Sequence, residues 1–382
     1  MDPIYLDAHA TTPVDPRVLE AMLPFFTERF GNASSRNHPF GWTAGKAVEQ
    51  AREHVGSLIG ARFRDVVFTS GATESNNLAI KGVARRAPAA RRHIVTVSTE
   101  HRAVLDPCRV LERDGFRVTC LDVDRDGRID LDRLCDAVSA GTLLVSAMSA
   151  NNETGVLHPL AEIAEIAHAH GALFHCDAAQ SAGLVPVNVK QLSVDLVSLS
   201  AHKMYGPKGV GALYVAKRDR AIDLESLIDG GGHERGYRSG TLNVPAIVGF
   251  GRAAELCRGA AESDAARLRA LRDRLWTALS ALDGIHLNGP MEPRLPNNLN
   301  VRVDGVHGDS LLKAIAGELA VSSGAACATA SAEPSHVLRA MGLSDEQARA
   351  SIRFGLGRFT TGQEVDAAAA IVIAAARHLR RG

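Results

Sequence analysis

Short, continuous apolar runs alternate with amphipathic helical stretches through the first two-thirds of the chain. DVVFTS (65–70) leads into TESNNLAIKGVARR, and HIVTVST (93–99) leads into AVLDPCRVLERDG. GTLLVSAMS (141–149) precedes LAEIAEIAHAHG, and ALFHCDAAQ (172–180) and VDLVSLS (194–200) follow. Strands with no polar face must be covered on both sides, so the pattern predicts an α/β fold with a mostly parallel sheet between helical layers. GVGALYV (209–215) follows the last of these runs closely and reads as an antiparallel partner. In such a sheet a ligand binds at the carboxyl ends of the strands. From about residue 246 the texture changes to one long Ala/Arg/Leu-rich helix and a shorter α+β tail, in which NNLNVRV (297–303) and SIRFGLG (351–357) read as strands. The domain change is expected within that long helix.

The chain has 382 residues, enough for two domains with substantial cores. Lys plus Arg and Asp plus Glu both total 43, so no overall field favours nucleic acid or an anionic membrane surface. No apolar run reaches membrane-spanning length, and MDPIYLDAHATTPVD has no secretory character. A cytoplasmic protein is the expectation. The cysteines (Cys108, Cys120, Cys135, Cys176, Cys257, Cys327) form no CxxC pair, so neither a disulfide framework nor a structural zinc site is expected. DVDRDGRIDLDR (122–133) copies an EF-hand loop up to its twelfth position, where Arg133 replaces the bidentate Glu. It reads instead as a strand–turn–helix connection.

The strand exits carry the chemistry. VSLSAHKMYGPKG delivers Lys203 at the end of a buried run, where lost solvation favours the neutral amine. That suits a Schiff-base lysine, although a lysine marking a strand edge is the plainer alternative. TSGATESNN (69–77) is a strand, glycine turn and helix start whose backbone N–H groups favour an anion, with Thr73 adding a hydroxyl; simple capping gives the same pattern. Asp177 in FHCDAAQS needs a cationic partner or hydrogen bonds and suits a protonated pyridine nitrogen, unless it is a helix cap. Gln180 is near enough to reach a ring substituent. SANNETG (149–155) offers asparagines to a ring oxygen or to its own turn, and His101 in STEHRAV can stack on a ring, move protons or serve structure alone. Together these supply what pyridoxal phosphate requires, with Ser200 and His202 beside its phosphate. Neither GxGxxG after the first strand nor GxxxxGK[ST] is present.

Over nearly its whole length, from YLDAHATTPVDP to GRFTT, the sequence resembles the cysteine desulfurases of the NifS/IscS type, within the class V aminotransferases. The motifs that carry the likeness are FGNASSRNH, FTSGATESNNLAIKG, EHRAVLD, NNETG, HKMYGPKGVGALY, GGGHERGYRSGT and SSGAAC. The resemblance implies pyridoxal-phosphate fold type I. A large domain (15–257) would hold a sheet of the seven-stranded type, and 1–14 with 258–382 would form a smaller α+β domain carrying the catalytic cysteine loop. Lys203 would bind the cofactor aldehyde, Asp177 would pair with the ring nitrogen, and His101 would stack. Asn152 and Gln180 would bracket the ring oxygen. Ala72, Thr73, Ser200 and His202 would bind phosphate, with Thr241 reaching in from the other subunit of a homodimer. Arg353 would clamp the substrate carboxylate, helped by Asn152 and Asn32.

Cys327 lies in VSSGAACATASAEPSH (321–336), whose small residues suit either a mobile loop or a tight packing turn. The resemblance makes it the thiol that takes sulfur from L-cysteine and becomes a persulfide, with L-alanine released. The loop length resembles the group that delivers sulfur to partner proteins. No metal site of the chain's own is implied, though Cys327 is a candidate transient iron–sulfur ligand during transfer. The sequence stops at ARHLRRG without the extension that housekeeping members use to dock an iron–sulfur scaffold. That leaves the acceptor open between such a scaffold and a tRNA- or DNA-thiolation protein. A selenocysteine or cysteine-sulfinate lyase, or an aminotransferase, is the alternative within the fold. His9, in LDAHATT, departs from the family pattern without an assigned role.

Overall fold

The computed structural model describes residues 3–217, 222–323 and 333–381. Seven strands form the central sheet: β1 (Val66–Thr69), β2 (His93–Val97), β3 (Arg117–Leu121), β4 (Thr142–Ser146), β5 (Leu173–Asp177), β6 (Leu196–Ser200) and β7 (Gly211–Val215). Their order across the sheet is β1-β7-β6-β5-β4-β2-β3. All pairs are parallel except those of β7, which runs antiparallel to both β6 and β1. The mostly parallel sheet and its antiparallel strand are therefore as the apolar runs predict. β1, β2, β4, β6 and β7 are buried at every residue, whereas β3 is mostly exposed or half-buried, because it closes one edge.

The opposite edge, β1, is protected by side chains. Arg52 and Arg235 both donate to the Val66 carbonyl, and Glu234 accepts from the Phe68 amide. Glu234 also pairs with buried Arg52 at 2.6 Å, so the edge is capped by a closed ionic cluster.

Helices Ala72–Arg85, Arg102–Arg113 and Leu160–Ala169 follow β1, β2 and β4. The chain winds outward from β2 to β3 and then in the other direction from β4 through β5 and β6, so β2 and β4 flank a switch point. A crevice opens at the carboxyl ends of the strands at such a point.

The second sheet is antiparallel: β8 (Ile285–Leu287), β9 (Asn298–Val303), β10 (Ser322–Ser323) and β11 (Ser351–Gly355), ordered β10-β11-β9-β8. A 37-residue helix, Val244–Ser280, joins the two halves. Its first half, up to Cys257, packs in the core of the large sheet, and its second half, from Leu268, packs in a separate core with β9, β11 and the helix Gly362–Leu379. Leu6 belongs to this second core, because the N-terminal pair Ile4–Tyr5 runs parallel to Leu319–Ala320.

The EF-hand look-alike is a turn. Asp124 Oδ1 accepts from the amides of Asp126 and Arg128, Gly127 takes φ +80°, and Asp130 caps the helix Leu131–Ala137. Among the described residues, no group of three His, Cys, Asp or Glu side chains is arranged to hold a metal ion. No helix among them is long and apolar enough to cross a membrane.

Candidate active site

A cavity of about 540 Å³ lies at the strand exits. It is lined from β1 by Ala72 and Thr73, from β2 by His101, from β4 by Asn152, from β5 by Asp177 and Gln180, and from β6 by Ser200, His202 and Lys203. Arg353 reaches it from β11. Ten of the residues singled out from sequence thus meet in one place. Asn32 and Thr241 are exposed and do not line it within one chain. Cys327 lies outside the described residues.

Each position follows from local structure. The helix Ala72–Arg85 starts without a side-chain cap, behind Gly71, so its first N–H groups remain available to a ligand. A Cβ on Gly211 would lie 2.6 Å from the Gly71 Cα and 2.5 Å from the Leu199 carbonyl oxygen, so the turn abuts β7 only because residue 211 is glycine, while Gly71 is needed for its φ of +152°. His101 caps the next helix, and its Nδ1 accepts the Ala103 amide at 3.0 Å, which leaves that nitrogen without a proton. His202 Nδ1 lies 3.1 Å from the Thr11 hydroxyl, and burial, with Lys203 and Lys208 nearby, pushes the ring down to about 4.

Asp177 is buried, and its two oxygens have different tasks. Oδ1 accepts the Ala179 amide at 2.9 Å, while Oδ2 accepts from the Asn76 side chain at 2.7 Å. Asn76, on the helix Ala72–Arg85, was not foreseen as a site residue. An Asn fully buried on an apolar helix face is the signal that points to it. The Lys203 amine donates to the carbonyls of His9 and Ala10, the latter at 2.8 Å.

Arg353 is almost fully buried. Nη1 donates to the Asn152 carbonyl and Nη2 to Asp7 Oδ1, each at 2.9 Å. The same Asp7 oxygen accepts the Ser322 hydroxyl at 2.8 Å, and Ser322 is the β10 residue paired with Arg353 in register. Beyond the undescribed stretch, Ser335 donates to the buried Glu153 carboxylate, and His336 Nε2 lies 2.9 Å from the Glu100 carbonyl oxygen. Glu100 is wholly buried and accepts the Met148 amide, and burial, with Asp177 nearby, pushes its carboxyl well above the usual range.

Among the described residues, two buried polar atoms of residues that line this cavity have no partner: Asn76 Oδ1 and Arg353 Nε. An amine, a buried carboxylate, a guanidinium and an uncapped helix start around one cavity make a donor set that fits a phosphorylated pyridine aldehyde and an amino acid. Of the described cysteines, Cys108, Cys176 and Cys257 are buried, and all five are free thiols. Burial holds Cys108 at about 12, so it is no ready nucleophile.

The family model for aminotransferase class V matches residues 4–368, and the chain belongs to that family of pyridoxal-phosphate enzymes. It is 59% identical over 379 residues to the cysteine desulfurase IscS of Anaeromyxobacter sp. (strain Fw109-5), covering 99% of this chain and 93% of that protein. Among solved structures it resembles a NifS-like protein with a TM-score of 0.91 and 39% identity, over 98% of this chain and 99% of the other. It also resembles SspA in complex with cysteine, with a TM-score of 0.82 and 36% identity, over 94% and 99% of the two chains.

Proposed function

We propose that the enzyme is a cysteine desulfurase that takes the sulfur of L-cysteine, releases L-alanine and carries the sulfur as a persulfide on Cys327 for delivery to an acceptor protein. The observation that carries this reading is the convergence of Lys203, Asp177 and Arg353, from three different elements, on one cavity. The names of the relatives support a desulfurase over a lyase or an aminotransferase of the same fold.

The N–H groups at Ala72 and Thr73, the Ser200 hydroxyl and the neutral His202 would hold the phosphate of pyridoxal phosphate. Asp177 would pair with the ring nitrogen, His101 would stack, and Asn152 and Gln180 would flank the ring oxygen. When bound, the cofactor supplies a sink for the electron pair released at the substrate α-carbon. Lys203 is the amine that binds the aldehyde and moves the α-proton, with His101 assisting. Arg353 holds the substrate carboxylate by parallel N–H bonds, with Asn152 and Asn32 beside it. The Cys327 thiolate forms a bond to the substrate sulfur and the Cβ–S bond breaks. The electron pair of that bond stays on the β-carbon, which takes a proton; the α-carbon takes back the one it gave to Lys203, and alanine leaves. A thiol of the acceptor then attacks the persulfide. The described residues on both sides of the cysteine segment support this role: Ser322 is tied to Asp7, which holds Arg353, and Ser335 to Glu153, next to Asn152.

The enzyme works as a homodimer in this reading. Phe26, Phe30, Phe40 and Trp42 leave exposed aromatic rings between residues 26 and 42, and a second copy would cover them and bring Thr241 and Asn32 toward a shared site. The two separate cores support a division into 15–257 and 1–14 with 258–382. A persulfide-forming thiol must be kept reduced, which favours the cytoplasm. The acceptor is an iron–sulfur scaffold or a thiolation enzyme, with Cys327 a transient cluster ligand in the first case.

Alanine and sulfide release from L-cysteine with a thiol reductant, compared between the native enzyme and Cys327→Ala, tests the proposal. Loss of both products with the cofactor colour retained is the expected result. Full activity in the variant overturns the persulfide step and moves the lyase reading to first place.

A further inference from the structure

We infer that His9 is a positioning residue that fixes the Gln180 amide so that it presents an N–H donor to the ring oxygen of the cofactor. The inference rests on the cofactor reading above. Gln180 Nε2 donates to the His9 carbonyl at 3.1 Å. A carbonyl can only accept, so this bond sets which end of the amide is nitrogen. Gln180 Oε1 then lies 2.9 Å from His9 Nδ1, and that nitrogen must carry the ring proton. One amide N–H is spent on the carbonyl, and the other is left for the cavity that Gln180 lines. A Gln turned the other way would show the ring oxygen a lone pair.

The same His9 carbonyl also accepts from the Lys203 amine, so one residue holds two side chains of the site. Its ring is seated against Gly355, where a Cβ would come within 2.9 Å of His9 Cδ2. The charged groups facing the ring are Arg353 and Lys203, both positive, while its hydrogen bonds to Gln180 and to the Asn297 backbone pull the other way. Burial and these two cations push the imidazole down to about 3, so protonation does not release Gln180 in the working range.

The test is a pH titration of the visible absorption of the cofactor-loaded enzyme, which must first show a band that disappears in Lys203→Ala. Absence of that band in the native protein overturns the cofactor reading itself. With the band present, His9→Phe keeps a neutral ring of similar volume but cannot donate to Gln180. Losing a donor to an anionic ring oxygen favours the protonated form, so the midpoint should rise by about one pH unit. Gln180→Ala should rise at least as far, because the His9 carbonyl still holds one end of the amide in His9→Phe, and the double variant no further than Gln180→Ala. His9→Asn, whose Nδ2 can stand where Nδ1 does, should restore the native midpoint. If His9→Phe does not fold, His9→Ala gives the same readout. Native midpoints in His9→Phe or His9→Ala overturn the inference, as does additivity in the double variant.

Discussion

The two ends of the cavity are built on opposite principles. At one end, Asp177 and Ser200 stand where continuous buried strands stop, with backbones fixed by neighbouring strands of a covered sheet, and Lys203 follows on the single turn Ala201–Lys203. At the other end, Arg353 belongs to a small antiparallel sheet, and its guanidinium is held by groups from elsewhere: Asp7 near the N-terminus, and the Asn152 carbonyl after β4. The first end is held by sheet geometry, and the second by a polar cluster that the chain must assemble from remote pieces. A buried cation of that kind is stable only while its partners remain. The ends should therefore fail differently when altered.

The largest effect should follow loss of the guanidinium. Arg353→Ala removes a charge-assisted contact to the substrate carboxylate, and kcat/KM for L-cysteine should fall by about 100-fold or more. Cofactor retention on gel filtration should not change, because the sheet end is untouched. Release of the cofactor from this variant would break the division between the two ends.

Asp7→Asn should act in the same direction but more weakly. It keeps an acceptor for Arg353 and Ser322 while removing the negative charge, so KM should rise by about 10-fold with kcat nearly unchanged. A fall in kcat with constant KM would instead tie Asp7 to the chemistry, through Ser322 and the strand that leads to the cysteine segment.

The same contrast explains what the sequence makes legible. The apolar runs are local, so strands, sheet class and the residues at their exits can be read directly, including Lys203 and Asp177. The EF-hand look-alike can be set aside locally as well, because Arg133 stands where a ligand should. What cannot be read is pairing set by topology. Asn76 meets Asp177 across 101 residues, Gln180 meets His9 across 171, and Arg353 meets Asp7 across 346. The residue types were visible, but nothing in their spacing says that the fold joins them. The helix Pro39–Leu58 also escaped notice, since its apolar face is interrupted by Gly41 and Gly56, and by Arg52, whose burial depends on Glu234 far along the chain.

The sheet end carries its own cost, and it appears in acid. His175 on β5, two residues before Asp177, is fully buried between the Ser146 and Ser198 hydroxyls at 2.8 and 3.0 Å. Burial pushes its imidazole from 6.5 down to about 4, against the opposing pull of Asp177. Between those values the unfolded chain binds a proton that the folded chain refuses. Stability therefore falls as pH drops through this window and levels off below it. His9, His158 and His202 share the same direction, so several protons contribute. His175→Gln removes one of them. At pH 7 it should cost about 1–3 kcal/mol for the disturbed hydroxyl contacts. Denaturant titrations at pH 5 should show that deficit smaller by about 2 kcal/mol, since each proton changes stability by roughly 1.4 kcal/mol per pH unit. A deficit constant from pH 7 to pH 5 would mean that His175 titrates alike in both states, and the acid sensitivity of the sheet end would then have to come from elsewhere.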